Sequence, residues 1–118
     1  NTLRALSIDV LLRRPTLSHG LGGLSGPAIK PVGLACVWKI REEVRIPIVG
    51  VGGISSARDV AEYLYAGASA VEIGTAIAVE GIDLFRRITD ELGALLDSLG
   101  IARVEEAVGI AHPGRQAH

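Results

Sequence analysis

The sequence predicts an α/β fold in which βα units build a parallel sheet. Two short strand-like segments, at 48–51 and 71–73, are each closed by glycine and followed by a stretch with helical apolar spacing. From residue 27 onward the order is helix, strand, helix, strand, helix, with no low-complexity stretch and no internal domain boundary. The 118 residues, 48% of them hydrophobic, suffice for one modest domain with a real core. A parallel sheet needs cover on both faces, and the visible strands are too few for a doubly wound sheet or an eight-stranded barrel. The chain is therefore expected to be a piece of something larger, or to pair with a partner. A start at Asn1 and the lack of any methionine point the same way.

The elements follow in order. In residues 5–12, Leu6, Ile8 and Val10 alternate with Ser7 and Asp9, the pattern of a half-buried strand. Arg13-Arg14-Pro15 reads as a turn, and Thr16-Leu17-Ser18 as the return strand. Gly20, Gly22, Gly23 and Gly26 mark a loop that bends freely or lies against a partner. Residues 27 to about 44 read as a helix, with Pro27 and Pro31 in its first turn and Ile29, Val32, Ala35, Cys36 and Ile40 as its apolar stripe. The run 48–51 after Pro47 reads as a strand buried on both faces. Ser56 and Asp59 form a capping box for a helix carrying Val60, Ala61 and Leu64, which Gly67 ends. "AVEIGTA" is the next strand. A longer helix starts near Asp83 with Leu84, Ile88, Leu92, Leu95 and Leu99, and stops at Gly100. Residues 103–112 read as one short final helix, and 113–118 as a loose tail.

Several functions are disfavoured at once. A net charge of −1 gives no reason to expect nucleic acid. The single cysteine, Cys36, allows no internal disulfide and no cysteine zinc site, and suits a reducing compartment. No apolar run reaches the roughly 18 residues of a membrane span, and no export leader is visible.

Chemistry concentrates at two glycine sites. Gly52-Gly53 ends one predicted strand and Gly74-Thr75 the next, so both face the same side of a parallel array. Bare N–H groups there, with a helix start behind them, suit an anion, and Thr75 could add a hydroxyl donor. In (β/α)₈ barrels a phosphate often sits in the loops after the last two strands. The competing reading is that these glycines only make tight turns. No dinucleotide fingerprint or P-loop is present. Cys36, on the apolar stripe, reads as a buried structural thiol. His19, His112 and His118 lack metal spacing, and no metal is expected. Lys30 either faces an anion or is solvated. Glu72 is expected at the strand end or in the outer layer. Arg41-Glu42-Glu43 and Arg86-Arg87 read as helix surface.

"GGLSGPAIKPVGL" at 22–34, "IPIVGVGGISSARDVAEYLYAGASAVEIGTA" at 46–76 and "EAVGIAH" near the end, with "NTL" at the start, resemble the dihydroorotate dehydrogenase family, most closely class 1B catalytic subunits. The likeness runs in order along nearly the whole chain. It implies the C-terminal part of a (β/α)₈ TIM barrel, here residues 1–118, with parallel strands and a protruding β-hairpin at "ALSIDVLLRRPTLS". It implies FMN as cofactor, its phosphate on Gly52, Gly53, Gly74 and Thr75, with Gly26 a further contact. It implies that Asn1 and Thr2 hold the pyrimidine of dihydroorotate or orotate, in a cytoplasmic enzyme of pyrimidine (UMP) biosynthesis. The family's catalytic cysteine base lies upstream, so no catalytic residue falls within this chain, and the chain alone is expected to be inactive. Class 1B implies an electron-transfer partner with FAD and a [2Fe–2S] cluster, hence a homo- or hetero-oligomer. Alternatives are another FMN barrel, such as a dihydropyrimidine dehydrogenase domain, or a non-catalytic phosphate-binding half-barrel.

Overall fold

Residues 3–24 fold as an antiparallel ribbon of two tiers in the computed structural model, which describes residues 1–114. The base pairs β1 (Leu3–Ala5) with β4 (Gly22–Leu24), Leu3 opposite Leu24. The outer tier pairs β2 (Ile8–Asp9) with β3 (Arg14–Pro15). The expected continuous strand over 5–12 is thus broken. Asp9 turns the chain instead, its Oδ1 accepting the N–H groups of Leu11 and Leu12, both at 3.0 Å. Nor is the apolar side half-buried: Leu6, Ile8 and Val10 are exposed while Asp9 is partly covered, because among the described residues nothing packs on the ribbon's apolar face.

A 3₁₀ turn at Pro27–Ile29 leads into α1 (Lys30–Glu43), with Pro27 first in the turn and Pro31 second in the helix. Proline lacks the N–H that a first turn leaves unused. The buried side of α1 is not the expected stripe. Ile29 and Val37 are buried, Leu34 and Trp38 pack beside them, and Val32, Ala35, Cys36 and Ile40 are exposed. The neighbour decides this: α1 packs on α2 (Ala57–Ala66), and only the side carrying Gly33 and Val37 faces it. Cys36 is accordingly an exposed thiol, not a buried one.

β5 (Val49–Val51) and β6 (Ala70–Glu72) lie parallel, with Val49 opposite Ala70 and Val51 opposite Glu72. Helices cover one face only. Gly50 is buried towards α2, whereas Val49 and Val51 are exposed on the other face, so burial on both faces does not hold in this chain. Ser56 and Asp59 complete the capping box of α2, and Gly67 ends it with φ 116°. "AVEIGTA" is strand only through Glu72; Gly74 then starts a short helix, α3 (Thr75–Glu80).

α4 (Leu84–Ser98) packs on the other side of α2 and buries Leu84, Ile88 and Leu96; Leu99 at its end is exposed. α5 is only Val104–Ala107. The chain turns at Gly109, φ 74°, and lays residues 109–112 over the end of α2. Of the expected tail, Pro113 and Gly114 form a turn; residues 115–118, His118 included, lie outside the described residues. No helix among the described residues is long and apolar enough to cross a membrane.

Candidate functional site

A cavity of about 600 Å³ opens where β5 and β6 end, a usual volume for a small-molecule site. Four separated segments wall it: Asn1 and Thr2, the loop from Ser25 into the 3₁₀ turn, the β5–α2 loop from Val51 to Ser55, and the stretch from Glu72 through α3. Asn1, Thr2, Gly26, Gly52, Gly53, Gly74 and Thr75, singled out from sequence, all lie on this wall.

The glycines stand there for different reasons. Gly53 has φ 70°, and a Cβ there would sit 2.8 Å from the Gly26 carbonyl oxygen and 2.8 Å from Lys30 Cβ. It is glycine because two loops of this chain touch at that point. Gly52, φ 126°, would drive a Cβ to 3.3 Å from Ile29 Cδ1 and 3.4 Å from the Tyr63 hydroxyl. Gly74 is unlike both. Its φ of −116° lies outside the region that favours glycine, and a Cβ would meet nothing within 4 Å. Packing within this chain therefore gives no reason for glycine at this position on the cavity wall. Thr75 next to it heads α3, where its N–H has no intrahelical acceptor. Its hydroxyl donates to Ser25 Oγ at 2.9 Å and ties the two loops.

Tyr63 supports the floor, a role that its helical spacing from Val60 does not show. It is fully buried in α2, and Gly33, Gly50 and Gly52 all leave room for its ring or hydroxyl. The hydroxyl donates to the Gly52 carbonyl at 2.7 Å. Burial raises its pKa above the usual tyrosine value, so it stays a donor at neutral pH.

Asp59 ties the surrounding loops. One carboxylate oxygen accepts from the Ser55 and Ser56 N–H groups at 2.9 and 3.1 Å. The other accepts from Lys30 Nζ at 2.6 Å. Burial works against ionising Asp59, but Lys30, the Ser55 N–H and the Ser56 side chain outweigh it and hold the carboxyl below its ordinary pKa. Lys30 also meets Glu62 at 3.0 Å. It is thus neither solvated nor aimed at the cavity, because its ammonium is drawn to two carboxylates on α2. Arg87 is not plain helix surface either. It donates to the Ser55 carbonyl at 3.0 Å and pairs with Glu80 at 2.7 Å. Ser55 is thus held at its N–H by Asp59 and at its carbonyl by Arg87.

Glu72 sits on the cavity wall rather than in an outer layer, sharing the open sheet face with Val51. Asn1 Oδ1 accepts from the Thr2 N–H at 2.9 Å, and Thr2 lies across Gly23. His19 and Cys36 are not on the wall. His112 is buried away from it, stacked on Trp38 with ring centroids 3.8 Å apart. No cluster of three or more His, Cys, Asp or Glu poised for a metal occurs among the described residues.

A parallel βα unit with a glycine-rich cavity at its strand ends defines an α/β protein with a small-molecule site at the C-terminal side of its sheet. Residues 1–96 match the family described as Dihydroorotate dehydrogenase, and the chain belongs to that family. It is 49% identical over 109 residues to the dihydroorotate dehydrogenase B (NAD(+)) catalytic subunit of Bacillus caldolyticus, covering 92% of this chain and 34% of that protein. It is 45% identical over 111 residues to the subunit of the same name from Pyrococcus furiosus, covering 94% and 37%. Among solved structures, DHODH from Eimeria tenella in complex with ferulenol superposes with TM-score 0.77 at 34% identity, over 96% of this chain and 30% of that one. The chain thus spans about a third of the length of these relatives.

Proposed function

We propose that this chain supplies the phosphate-binding wall of an FMN site, and part of the substrate pocket, in an enzyme that oxidises dihydroorotate to orotate. One observation carries the reading: residues from four separated segments, chosen for phosphate and pyrimidine, meet on a single cavity wall.

The residues present fit the group. The phosphate would rest against Gly52, Gly53, Gly74 and Thr75, where backbone N–H groups and a helix start suit an anion. Gly26, beside Thr75, lets the chain come close to the same ligand. Gly74 fits best of all, since neither its φ nor its neighbours call for glycine. When bound, FMN supplies the acceptor for a hydride from C6 of the pyrimidine. Asn1 and Thr2 carry amide and hydroxyl groups that can both donate and accept, which suits the alternating groups of that ring. Their task is to orient the substrate.

No base from this chain is assigned to the C5 proton. That role falls to a cysteine outside these residues, so the chain by itself binds and orients but does not turn over. The relatives bear the name catalytic subunit. That name supports a partner subunit; we propose that the partner is an electron-transfer subunit carrying FAD and a [2Fe–2S] cluster and that the assembly is cytoplasmic.

The test is spectroscopic. The purified protein should be yellow, with flavin released on denaturation, and dihydroorotate should bleach it when the whole enzyme is assembled. A colourless folded protein that does not take up added FMN sinks the reading.

A further inference from the structure

We infer that Lys30 and Asp59 form a positioning pair that sets the spacing of the two loops holding the cofactor phosphate, without touching the cofactor. The inference rests on the FMN reading above and assigns a role to residues outside the cavity wall.

The geometry is a short chain of contacts. Gly26 and Gly53 lie on different loops, and both face the cavity. They meet so closely that a Cβ on Gly53 would lie 2.8 Å from the Gly26 carbonyl oxygen and 2.9 Å from the Lys30 backbone nitrogen. Nothing covalent holds that approach. Behind it, Lys30 leaves the first loop and reaches Asp59 at 2.6 Å. Asp59 in turn grips the second loop through the Ser55 and Ser56 N–H groups. The lysine that heads α1, directly after the first loop, and the second loop's amides therefore share one carboxylate. The pair is mostly covered, with side-chain exposures of 23% and 12%, so water screens it less than a surface pair.

Phosphate binding by backbone N–H groups depends on where the backbone is held. Loosening the pair lets Gly26 and Gly53 separate, and the loss falls on the phosphate rather than on the rest of the ligand. Lys30 itself is committed to two carboxylates and is no phosphate ligand.

FMN and riboflavin differ only in the phosphate, which gives the experiment. Flavin-depleted protein is titrated with each by fluorescence quenching, as wild type, Lys30→Met, Lys30→Arg, Asp59→Asn, the Lys30→Met/Asp59→Asn double variant, and Glu62→Gln. Lys30→Met and Asp59→Asn should each weaken FMN by roughly five- to thirtyfold and riboflavin by less than about twofold. The double variant should lose little more than either single one. Lys30→Arg should recover most of the loss, and Glu62→Gln should leave both affinities near wild type. Equal losses for both flavins would mean a general structural role and overturn the inference. So would variants that keep the wild-type preference for FMN, and in that case the phosphate site itself stands. A wild-type protein with no preference for FMN overturns the phosphate reading and the positioning role together.

Discussion

The hydroxyl of Tyr63, in the middle of α2, donates to the carbonyl of Gly52 at the edge of the cavity. A fully buried aromatic thereby fixes the peptide that turns β5 into its loop. Tyr63→Phe keeps the ring and removes the bond, leaving the Gly52 carbonyl without that donor. A cost of about 1 kcal/mol or slightly more is expected, read as a lower urea midpoint at unchanged slope. An unchanged midpoint would show that the bond contributes nothing to stability.

Gly50→Ala probes the same contact from the strand side. A Cβ at Gly50 would lie 2.5 Å from Tyr63 Cδ1, closer than any real contact allows. Either the ring or β5 must move, at an expected 1–3 kcal/mol as estimated for overpacked cores, on the order of the Tyr63→Phe cost or more. A variant as stable as wild type would show that α2 rides more loosely on the sheet than this packing implies.

Gly74→Val separates binding from folding. A Cβ there meets nothing within 4 Å, so the fold should lose no more than about 1 kcal/mol, chiefly because valine is a poor residue at a helix start. Flavin content should nonetheless fall by about tenfold or more if Gly74 backs the phosphate, because the branched side chain adds bulk at the cavity wall. Full flavin content in a normally stable Gly74→Val protein would remove Gly74 from the phosphate site.

The same positions show what could be read without coordinates. The capping box at Ser56 and Asp59, the stops at Gly67 and Gly100, and the prolines at the start of α1 are local signals, and each sits where sequence places it. Gly52, Gly53, Gly74 and Thr75 were legible because strand ends in a parallel array share a side. What stayed hidden depends on neighbours. The stripe through Cys36 fails because α2 selects which side of α1 is buried. Tyr63 looks like any helical aromatic until Gly33, Gly50 and Gly52 are seen to surround it. Asp59 was legible as a cap, but its bond to Lys30 joins residues 29 apart, and no local pattern encodes that distance. The ribbon at 3–24 is the opposite case: the sequence alternates, but among the described residues no element covers its apolar side.

His112 reaches back 46 residues to hydrogen-bond the Ala66 carbonyl at 2.8 Å while stacking on Trp38. Beside it, the N–H groups of Gly109 and Ala111 donate to Leu64 and Tyr65. The last carbonyls of α2 are thus capped by a distant segment in addition to its own next turn, where the Gly67 and Ala68 N–H groups donate to Leu64 and Tyr63. His112→Ala removes both the stack and the bond and should cost about 2–3 kcal/mol. In thermal melts the midpoint should drop by several degrees or more, with the relative affinities for FMN and riboflavin unchanged. A selective loss of FMN would instead link this end of α2 to the phosphate loops.

The Lys30–Asp59 pair also sets a pH window. The Asp59 carboxyl is held below its ordinary value of 3.8, so its contribution is fully present above that pH and fades as pH falls through the lower folded value. The Lys30 ammonium is raised above 10.5, first by its bond to Asp59 and then, against the opposing effect of burial, by Glu62. Its contribution is complete below 10.5 and fades as pH rises through the higher folded value. Between these limits both groups are charged and the pair is intact. The stability difference between wild type and Asp59→Asn should therefore be flat from about pH 5 to about pH 9 and shrink at both extremes, in acid because Asp59 itself protonates and in base because Lys30 loses its charge. Urea midpoints of the two proteins across that range check it. A difference that changes steadily through neutral pH would mean that some group other than this pair governs the loops.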